Sequence, residues 1–305
     1  MSANVPSSQK SHNTALQGRQ LIGIDLGATN VRVARMTEDR VEQIQTEAIA
    51  EGDGPPAILN QIVRLIEAVG GDEADSIGIG VPSVVDVEGG IVYDVQNIPG
   101  WQEVPVKDFL EERLEKPVAV NNDANCFVLG EWYFGKGQGY ESVVGLTLGS
   151  GFGSGLVLGG RLYSGANCGA GEVGMLPYKD TIFEHYCSGM FFERTFGRSG
   201  KNVYKKALAG DVEARKMYES FGRHMGNALK AVLYAYDPQL IILGGAIRKA
   251  YPYFKEAMQA EMADFAYPKS LDTLELEISE LENVAVLGAA ALPLDEHLVN
   301  NNTNL

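Results

Sequence analysis

The sequence predicts an α/β fold in which one strand–glycine turn–strand unit opens each of two chain halves. Three stretches carry that prediction. The first is Leu21 to Met36, LIGIDLGATNVRVARM. Apolar residues lead into Asp25, a tight turn spans Leu26-Gly27-Ala28-Thr29-Asn30, and apolar and polar residues then alternate, which is strand, turn, strand. The second is Val143 to Leu158, VVGLTLGSGFGSGLVL. Set under the first, it places Gly145 under Gly23, Thr147 under Asp25, Leu148 under Leu26 and Gly149 under Gly27. The third is the apolar run Gln239 to Leu243, which ends in Gly244-Gly245-Ala246 before a helix. That order of strand, glycines and helix is an amide-rich arrangement suited to a nucleotide.

Each turn has a bland reading and a chemical one. Leu21 to Met36 alone reads as well as a surface hairpin as it does a ligand site. Gly27 lets the backbone bend and approach a ligand, and successive turn amides form an anion-binding concavity. Asp25, closing a buried strand, is placed to hold a hydrated metal near a phosphate. Two such turns in two halves favour a duplicated fold with one phosphate site between them.

Composition narrows the function classes. A chain of 305 residues has room for two domains, and its 45% apolar and 21% charged content is that of a globular protein. A net charge of −15 argues against nucleic acid as a partner. It leaves room for a phosphorylated ligand, because amides and Mg²⁺ supply positive potential locally. Cys126, Cys168 and Cys187 form no disulfide framework. The first twenty residues are polar without an apolar core segment, and no run reaches the length of a membrane span. A cytoplasmic protein without membrane contact, with a disordered tail over residues 1–19, is expected.

The remaining elements follow in order. Val41 to Thr46 adds a third strand. Ile58, Ile62, Leu65, Ile66 and Val69 recur at helical spacing until Gly70-Gly71 stops the helix. Ser76 to Val81 is a short strand whose end, through Pro82 and Ser83, is a turn able to approach a ligand. Glu88-Gly89-Gly90 turns back into Ile91–Tyr93. Asn97-Ile98-Pro99-Gly100-Trp101 is a rigid turn, either a structural loop with a buried Trp or a ligand contact. A helix is expected from about Val104 to Glu115 and a strand from Pro117 to Val120. The strand delivers Asn121-Asn122-Asp123-Ala124-Asn125. Asp123 reads either as the N-cap of a helix over Ala124–Phe134 or as a general base. Asn122 and Asn125 beside it are placed to orient a polyhydroxyl ligand. Ser164 to Gly174 is too rich in Gly and Ala for a normal helix and too apolar for a linker. It reads as backbone packed around something, with Glu172 as the ionisable contact. Met175 to Cys187 reads as irregular, Ser188–Phe196 and Lys201–Ala209 as helices, and Asp211 to Tyr236 as a long helix stopped by Asp237-Pro238. A helix over Lys249–Phe265, a strand over Leu274–Ser279 and a small-residue helix, Val284–Leu292, complete the chain. Val299 to Leu305 is polar, and fraying is expected there.

Taken together, these motifs resemble the ROK family of sugar kinases, within the actin-like ATPase superfamily. The resemblance rests on six segments in the family's order. They are Asp25 to Asn30, Gly78 to Pro82, Asn97 to Trp101, Asn122 to Asn125, Gly149 to Gly153 and Pro238 to Gly245. It implies a two-lobed actin-like (ribonuclease H-like) fold with duplicated βββαβαβα-type domains and a cleft between them. The N-terminal domain would cover residues 20–122, with a last helix at about 283–297 packed back onto it, and the C-terminal domain residues 123–282.

The implied activity is transfer of the ATP γ-phosphoryl group to a hexose hydroxyl, at carbon 6 of glucose or a related hexose. Asp123 would be the general base and Asp25 would hold Mg²⁺ through water. Gly27, Ala28, Thr29, Asn30, Gly149, Ser150 and Gly151 would bind phosphates, and Gly244 and Gly245 would lie against the adenosine. Pro82, Ser83, Asn97, Gly100, Asn122, Asp123, Glu172 and Glu193 would contact the sugar. Family members are commonly dimers or tetramers, so a homodimer or homotetramer is implied. An N-acetylhexosamine or fructose kinase of the same family is an alternative. A sugar-sensing ROK regulator is another, although the first twenty residues are too short and polar for a helix-turn-helix. An ATPase of the actin or chaperone type would need a water site in place of the sugar contacts.

One departure from the family pattern stands out. The family's Glu-x-Gly-His, whose His touches the sugar and binds zinc, is here Glu172-Val173-Gly174-Met175. The family's zinc cysteines correspond to Glu184, Tyr186 and Phe191, with Cys187 one place late. Thioether, phenol and phenyl groups do not replace thiolate and imidazole on structural zinc, so no zinc is expected. An improvised set of Cys168, His185 and Cys187 is the alternative, and an apolar plug of Phe183, Tyr186, Phe191 and Phe192 is expected instead.

Overall fold

The computed structural model describes residues 16–50, 54–95, 98 and 100–302, with side chains as far as 295. In chain order the strands and helices are Gln20–Leu26 (β1), Asn30–Thr37 (β2), Arg40–Ala48 (β3), Pro55–Ala68 (α1), Ser76–Val81 (β4), Val84–Asp86 (β5), Ile91–Tyr93 (β6) and Glu103–Pro105 (β7). Val106–Leu114 (α2), Val118–Asn122 (β8), Asp123–Phe134 (α3), Ser142–Leu148 (β9), Phe152–Leu158 (β10), Pro177–Tyr178 (β11), Thr181–Ile182 (β12), Glu184–Cys187 (α4) and Met190–Phe196 (α5) follow. The last are Gly200–Leu208 (α6), Val212–Tyr236 (α7), Leu240–Gly244 (β13), Tyr251–Met262 (α8), Pro268–Thr273 (α9), Glu275–Ile278 (β14) and Val284–Asn302 (α10). Among the described residues no helix is long and apolar enough to cross a membrane.

The chain forms two compact units. The first takes the described residues up to Glu141, Gly155–Ala170 and those from Glu280 on; the second takes Ser142–Ser154 and Gly171–Ser279. The first unit holds a sheet of order β3-β2-β1-β4-β8. β1 and β2 are antiparallel, with Asp25 opposite Arg32. β1, β4 and β8 run parallel, with Asp25 opposite Gly80 and Gly80 opposite Asn121. These three residues therefore form a row at the C-terminal ends of three parallel strands, where open α/β sheets bind ligands. Ile22, Ile24, Ile77 and Ile79 of the sheet pack with Ile58, Ile62, Leu65 and Ile66 of α1 into one core.

α10 lies against this sheet and against α3 because both sides are nearly free of side chains. A methyl carbon at Gly78 would stand 1.8 Å from the Ala289 carbonyl oxygen, and one at Gly288 would stand 1.7 Å from that of Cys126. α10 also runs past its expected end at Leu292, with Pro293 inside it. Proline removes the hydrogen bond to the carbonyl four residues back. Here that carbonyl is Ala289's, the one packed on Gly78. The contact between α3 and α10 keeps Asp123 to Glu141 in the first unit. Compactness accordingly divides the chain after Glu141, within β10 and after Ala170, whereas the sequence places the division at 122/123.

The second unit's sheet has the order β10-β9-β13-β14, with β9, β13 and β14 parallel. Among the described residues it lacks the third strand that a full duplication of β1-β2-β3 requires. Past β10 the chain makes a single bridge, Val157 to Leu162, around a turn in which Gly159 and Gly160 both have positive φ.

Several local expectations are not met. Residues 103–105 pair with β6 instead of starting a helix. Met175–Cys187 is not irregular but holds the β11–β12 hairpin and the α4 turn. A 3₁₀ turn, Ala246–Ala250, intervenes before α8. The cap of α3 is Asn122, extended at φ −69°, whose side chain accepts the Ala124 amide at 2.9 Å. Asp123 is the first helical residue instead.

Candidate active site

In the first unit the strand–turn–strand motif presents its acid and its turn together. The Gly27 amide donates to the Asn30 carbonyl at 2.9 Å, closing the turn. Ala28, Thr29 and Asn30 are exposed, and the Asn30 amide donates to Thr29 Oγ1 at 3.0 Å. The Asp25 carboxyl is pushed up from its ordinary value by burial, and Arg32, 3.9 Å away, acts in the opposite sense. A carboxylate with that balance gains from a further cation. Asp123, at the start of α3, lies close to the same place. Both acids act electrostatically on the fully buried Cys126 thiol, which burial first, and then Asp123 and Asp25, push well above its usual range. Gly80 keeps the space between strand and helix narrow, since a methyl carbon there would meet Cys126 Sγ at 2.9 Å.

Behind Asp123 is a polar network that motif reading missed. The Asn121 amide donates to Ser164 Oγ at 3.1 Å. Its Oδ1 accepts the Asn122 backbone N–H at 2.8 Å, the Asn125 amide at 2.9 Å and the Cys168 thiol at 3.0 Å. Asn125, read from the sequence as facing a ligand, is 1% exposed and its amide is turned inward. The only sequence signal for Asn121 is its place at a strand end before Asp123.

The residues assigned to the sugar have varied positions. Asn122 donates its amide to the Ser83 carbonyl at 3.2 Å, in addition to capping α3. The Ser83 hydroxyl donates to the Tyr93 carbonyl, so it fastens its own loop. Pro82 is half-buried, Gly100 is exposed at φ 80°, and Asn97 lies outside the described residues.

The second unit holds the other glycine turns. The Gly149 amide donates to the Gly151 carbonyl at 3.0 Å. The turn is fastened from outside twice, by the Gly189 amide to the Gly149 carbonyl at 2.8 Å and by Glu184 Oε2 accepting the Phe152 amide at 2.9 Å. Gly244 is opposite Thr147. Gly245, at φ 73°, sits so close to β9 that a methyl carbon there would be 2.2 Å from the Leu148 carbonyl oxygen. Beside these turns is a cavity of about 650 Å³, a size that suits a small-molecule ligand. Gly149, Ser150, Glu193, Lys201, Tyr204 and Ile247 are among its lining residues. Glu193, assigned to the sugar, thus stands on this cavity. Tyr204 and Lys201 were missed; their three-residue spacing on α6 was the available signal.

Glu172 is exposed, and its carboxyl is pushed up by partial burial and by the neighbouring charge of Glu184. Met175, in place of the family's His, is 57% exposed. The donor set for zinc does not fit. Glu184 is engaged by the Phe152 amide, the Tyr186 hydroxyl donates to Asp180, and Phe191 is buried among rings. In the improvised set, His185 Nδ1 is paired with Thr181 Oγ1 at 2.7 Å, Cys168 with Asn121, and Cys187 is fully buried. Among the described residues no group of three His, Cys, Asp or Glu is arranged to hold a metal.

Comparison with known proteins agrees over nearly the whole chain. The ROK family model matches residues 21–296. A glucokinase of Thermotoga maritima is 29% identical, over 90% of this chain and 96% of that protein. An N-acetyl-D-glucosamine kinase of Mannheimia succiniciproducens is 30% identical, over 89% of this chain and 98% of that one. The crystal structure of a ROK hexokinase from Thermus thermophilus matches with a TM-score of 0.75 at 26% identity, covering 93% of this chain and 99% of that one. The fold that this chain shares with that hexokinase is the actin-like ATPase fold. On the match over residues 21–296, this chain belongs to the ROK family.

Proposed function

We propose that the chain is an ATP-dependent hexose kinase in which Asp123 is the general base. The observation that carries this reading is the row Asp25–Gly80–Asn121 at the ends of three parallel strands, with Asp123 on the helix that follows. Asp25 and Asn121 are two strands apart, roughly 10 Å by inter-strand spacing. Phosphoryl transfer needs an in-line hydroxyl and neutralised phosphate charge. In the first unit, Asp123 takes the hydroxyl proton, while Thr29 and Asn30, on the turn that the Gly27 amide closes, offer donors to phosphate oxygens. In the second, the Gly149–Gly151 turn receives phosphate, and the cavity beside Gly244 and Gly245 takes the nucleoside. Glu172 accepts hydrogen bonds from sugar hydroxyls. Asp25 fits Mg²⁺ held through water, which would supply charge neutralisation. The similarity to glucokinases and to N-acetyl-D-glucosamine kinases supports the sugar as acceptor.

The acceptor reading extends to specificity. Met175 offers a weak acceptor where the family pattern has an imidazole. One hydrogen bond near the anomeric end is absent, typically worth about 0.5–1.5 kcal/mol. Discrimination at carbons 1 and 2 is therefore relaxed. The test is ADP release with glucose, mannose, fructose, glucosamine and N-acetylhexosamines, for the natural chain and for Asp123→Asn. The natural chain should use glucose and at least one other sugar, and the variant should lose at least about 10²-fold in kcat with its fold kept. Near-normal turnover by Asp123→Asn would remove the base assignment. A preference for glucose above about 10³-fold over every alternative would remove the relaxed specificity.

A further inference from the structure

A family zinc site whose donors do not fit leaves a structural task without its usual agent. The segment concerned, residues 171–196, fastens the phosphate turn through Glu184 and Gly189. It also carries Glu172, whose neighbours are ordered by Ser154 Oγ, which donates to the Gly171 carbonyl and accepts the Val173 amide at 3.2 Å. Something must hold this segment to the long helix α7.

The side chains that do so are aromatic and are gathered on His224. Tyr178 of β11 has its hydroxyl 3.1 Å from His224 Nδ1. The Tyr186 ring is 4.8 Å and the Phe191 ring 5.2 Å from the imidazole. Phe183 stacks on Tyr178 at 4.3 Å. The hairpin turn folds over the same rings, with Lys179 Nζ 5.7 Å from the Tyr178 ring and 5.4 Å from the Tyr186 ring. Asp180 accepts the Tyr186 hydroxyl. Hairpin, α4 and α5 thus each place a ring or a polar tip on one buried imidazole of α7. Such ring pairs stabilise the contact beyond the area they bury. The expected plug of Phe183, Tyr186, Phe191 and Phe192 is present in outline. Its centre, His224 with Tyr178, was not read from the sequence.

We infer that the His224–Tyr178–Tyr186 clasp replaces the zinc centre and positions the Gly149–Gly151 turn through Glu184 and Gly189. His224 is a positioning residue: it acts on the Gly149–Gly151 turn through Tyr178, Tyr186 and Phe191. The inference concerns packing and does not depend on the identity of the sugar.

The test is hydrogen exchange on the full chain without substrates, together with elemental analysis. The purified protein should carry no stoichiometric zinc, and a zinc-selective chelator should leave the protection of the Phe152 and Gly189 amides unchanged. His224→Ala should speed exchange at both amides by at least about 10-fold and leave the β1 amides unaffected. Tyr178→Phe, which removes one hydroxyl, should give a smaller change at the same two amides, and it serves if His224→Ala does not fold. About one zinc per chain, with protection lost on chelation, would overturn the inference. So would unchanged exchange at Phe152 and Gly189 in the folded variants. Because no turnover is measured, a failed kinase assignment would leave this result intact.

Discussion

His224 stays neutral in the folded chain: its pKa is lowered to about 4, first by burial and then by the charges of Lys179 and Arg223, with Glu261 opposing. In the unfolded chain an imidazole titrates near its ordinary value, roughly 6.5. Between those values the unfolded state binds a proton that the folded state does not, so stability falls as pH drops through this window. Above it the full stability is present, and below about pH 4 this group adds no further loss. His224→Phe should therefore flatten the fall in urea midpoint from pH 6.5 to 4 relative to the natural chain. Parallel slopes would show that the imidazole is not held neutral. The same residue marks what motif reading overlooks. On α7 it follows Phe221 by three positions and precedes Ala228 by four, a polar side chain on an apolar face. Only the aromatic partners from β11, α4 and α5, distant in sequence, reveal what it does. Asp25 and Asp123, by contrast, stand in short local motifs, one near a strand end and the other on the first residue after a strand, and those places are read directly from the sequence.

At the scale of elements, the glycine turns are constrained by what lies against them. Gly245 combines a positive φ of 73° with a close approach to Leu148, so Gly245→Ala meets both backbone strain and a clash. Its carbonyl also accepts Arg248 Nη1 at 2.8 Å, and Arg248 Nε donates to Ser279. We expect the variant to raise the KM for ATP at least about 10-fold with little change in the KM for sugar, a loss of uniform binding on the nucleotide side. An equal rise in both constants would place the turn elsewhere in the mechanism. The strands around these turns were legible because alternation and glycine are local signals. The Glu88–Gly90 turn into β6 was read as well, but β7 beside it, the β11–β12 hairpin and the capping role of Asn122 were not. β7 depends on a partner brought in by the fold, Tyr93 for Glu103, whereas the hairpin and the cap are closed by near neighbours without a motif of their own.

For the molecule as a whole, the parts that the proposed reading uses are divided between the two compact units. The first carries Asp123, Asp25 and the Gly27 turn, and the second carries the Gly149 turn, Gly245 and the nucleoside-sized cavity. The duplication was legible from the two glycine motifs. The incomplete second sheet was not, because the loss of a strand after Gly159-Gly160 leaves no sequence motif of its own. The central claim is that these parts transfer a phosphoryl group to a sugar and do not merely hydrolyse ATP. The most direct measurement follows the label from γ-³²P-ATP with Mg²⁺ and glucose. The account predicts label in a glucose phosphate monoester, in step with ADP, and at least about 10²-fold slower with Asp123→Asn. Label found only in inorganic phosphate, at a rate indifferent to glucose, would contradict it.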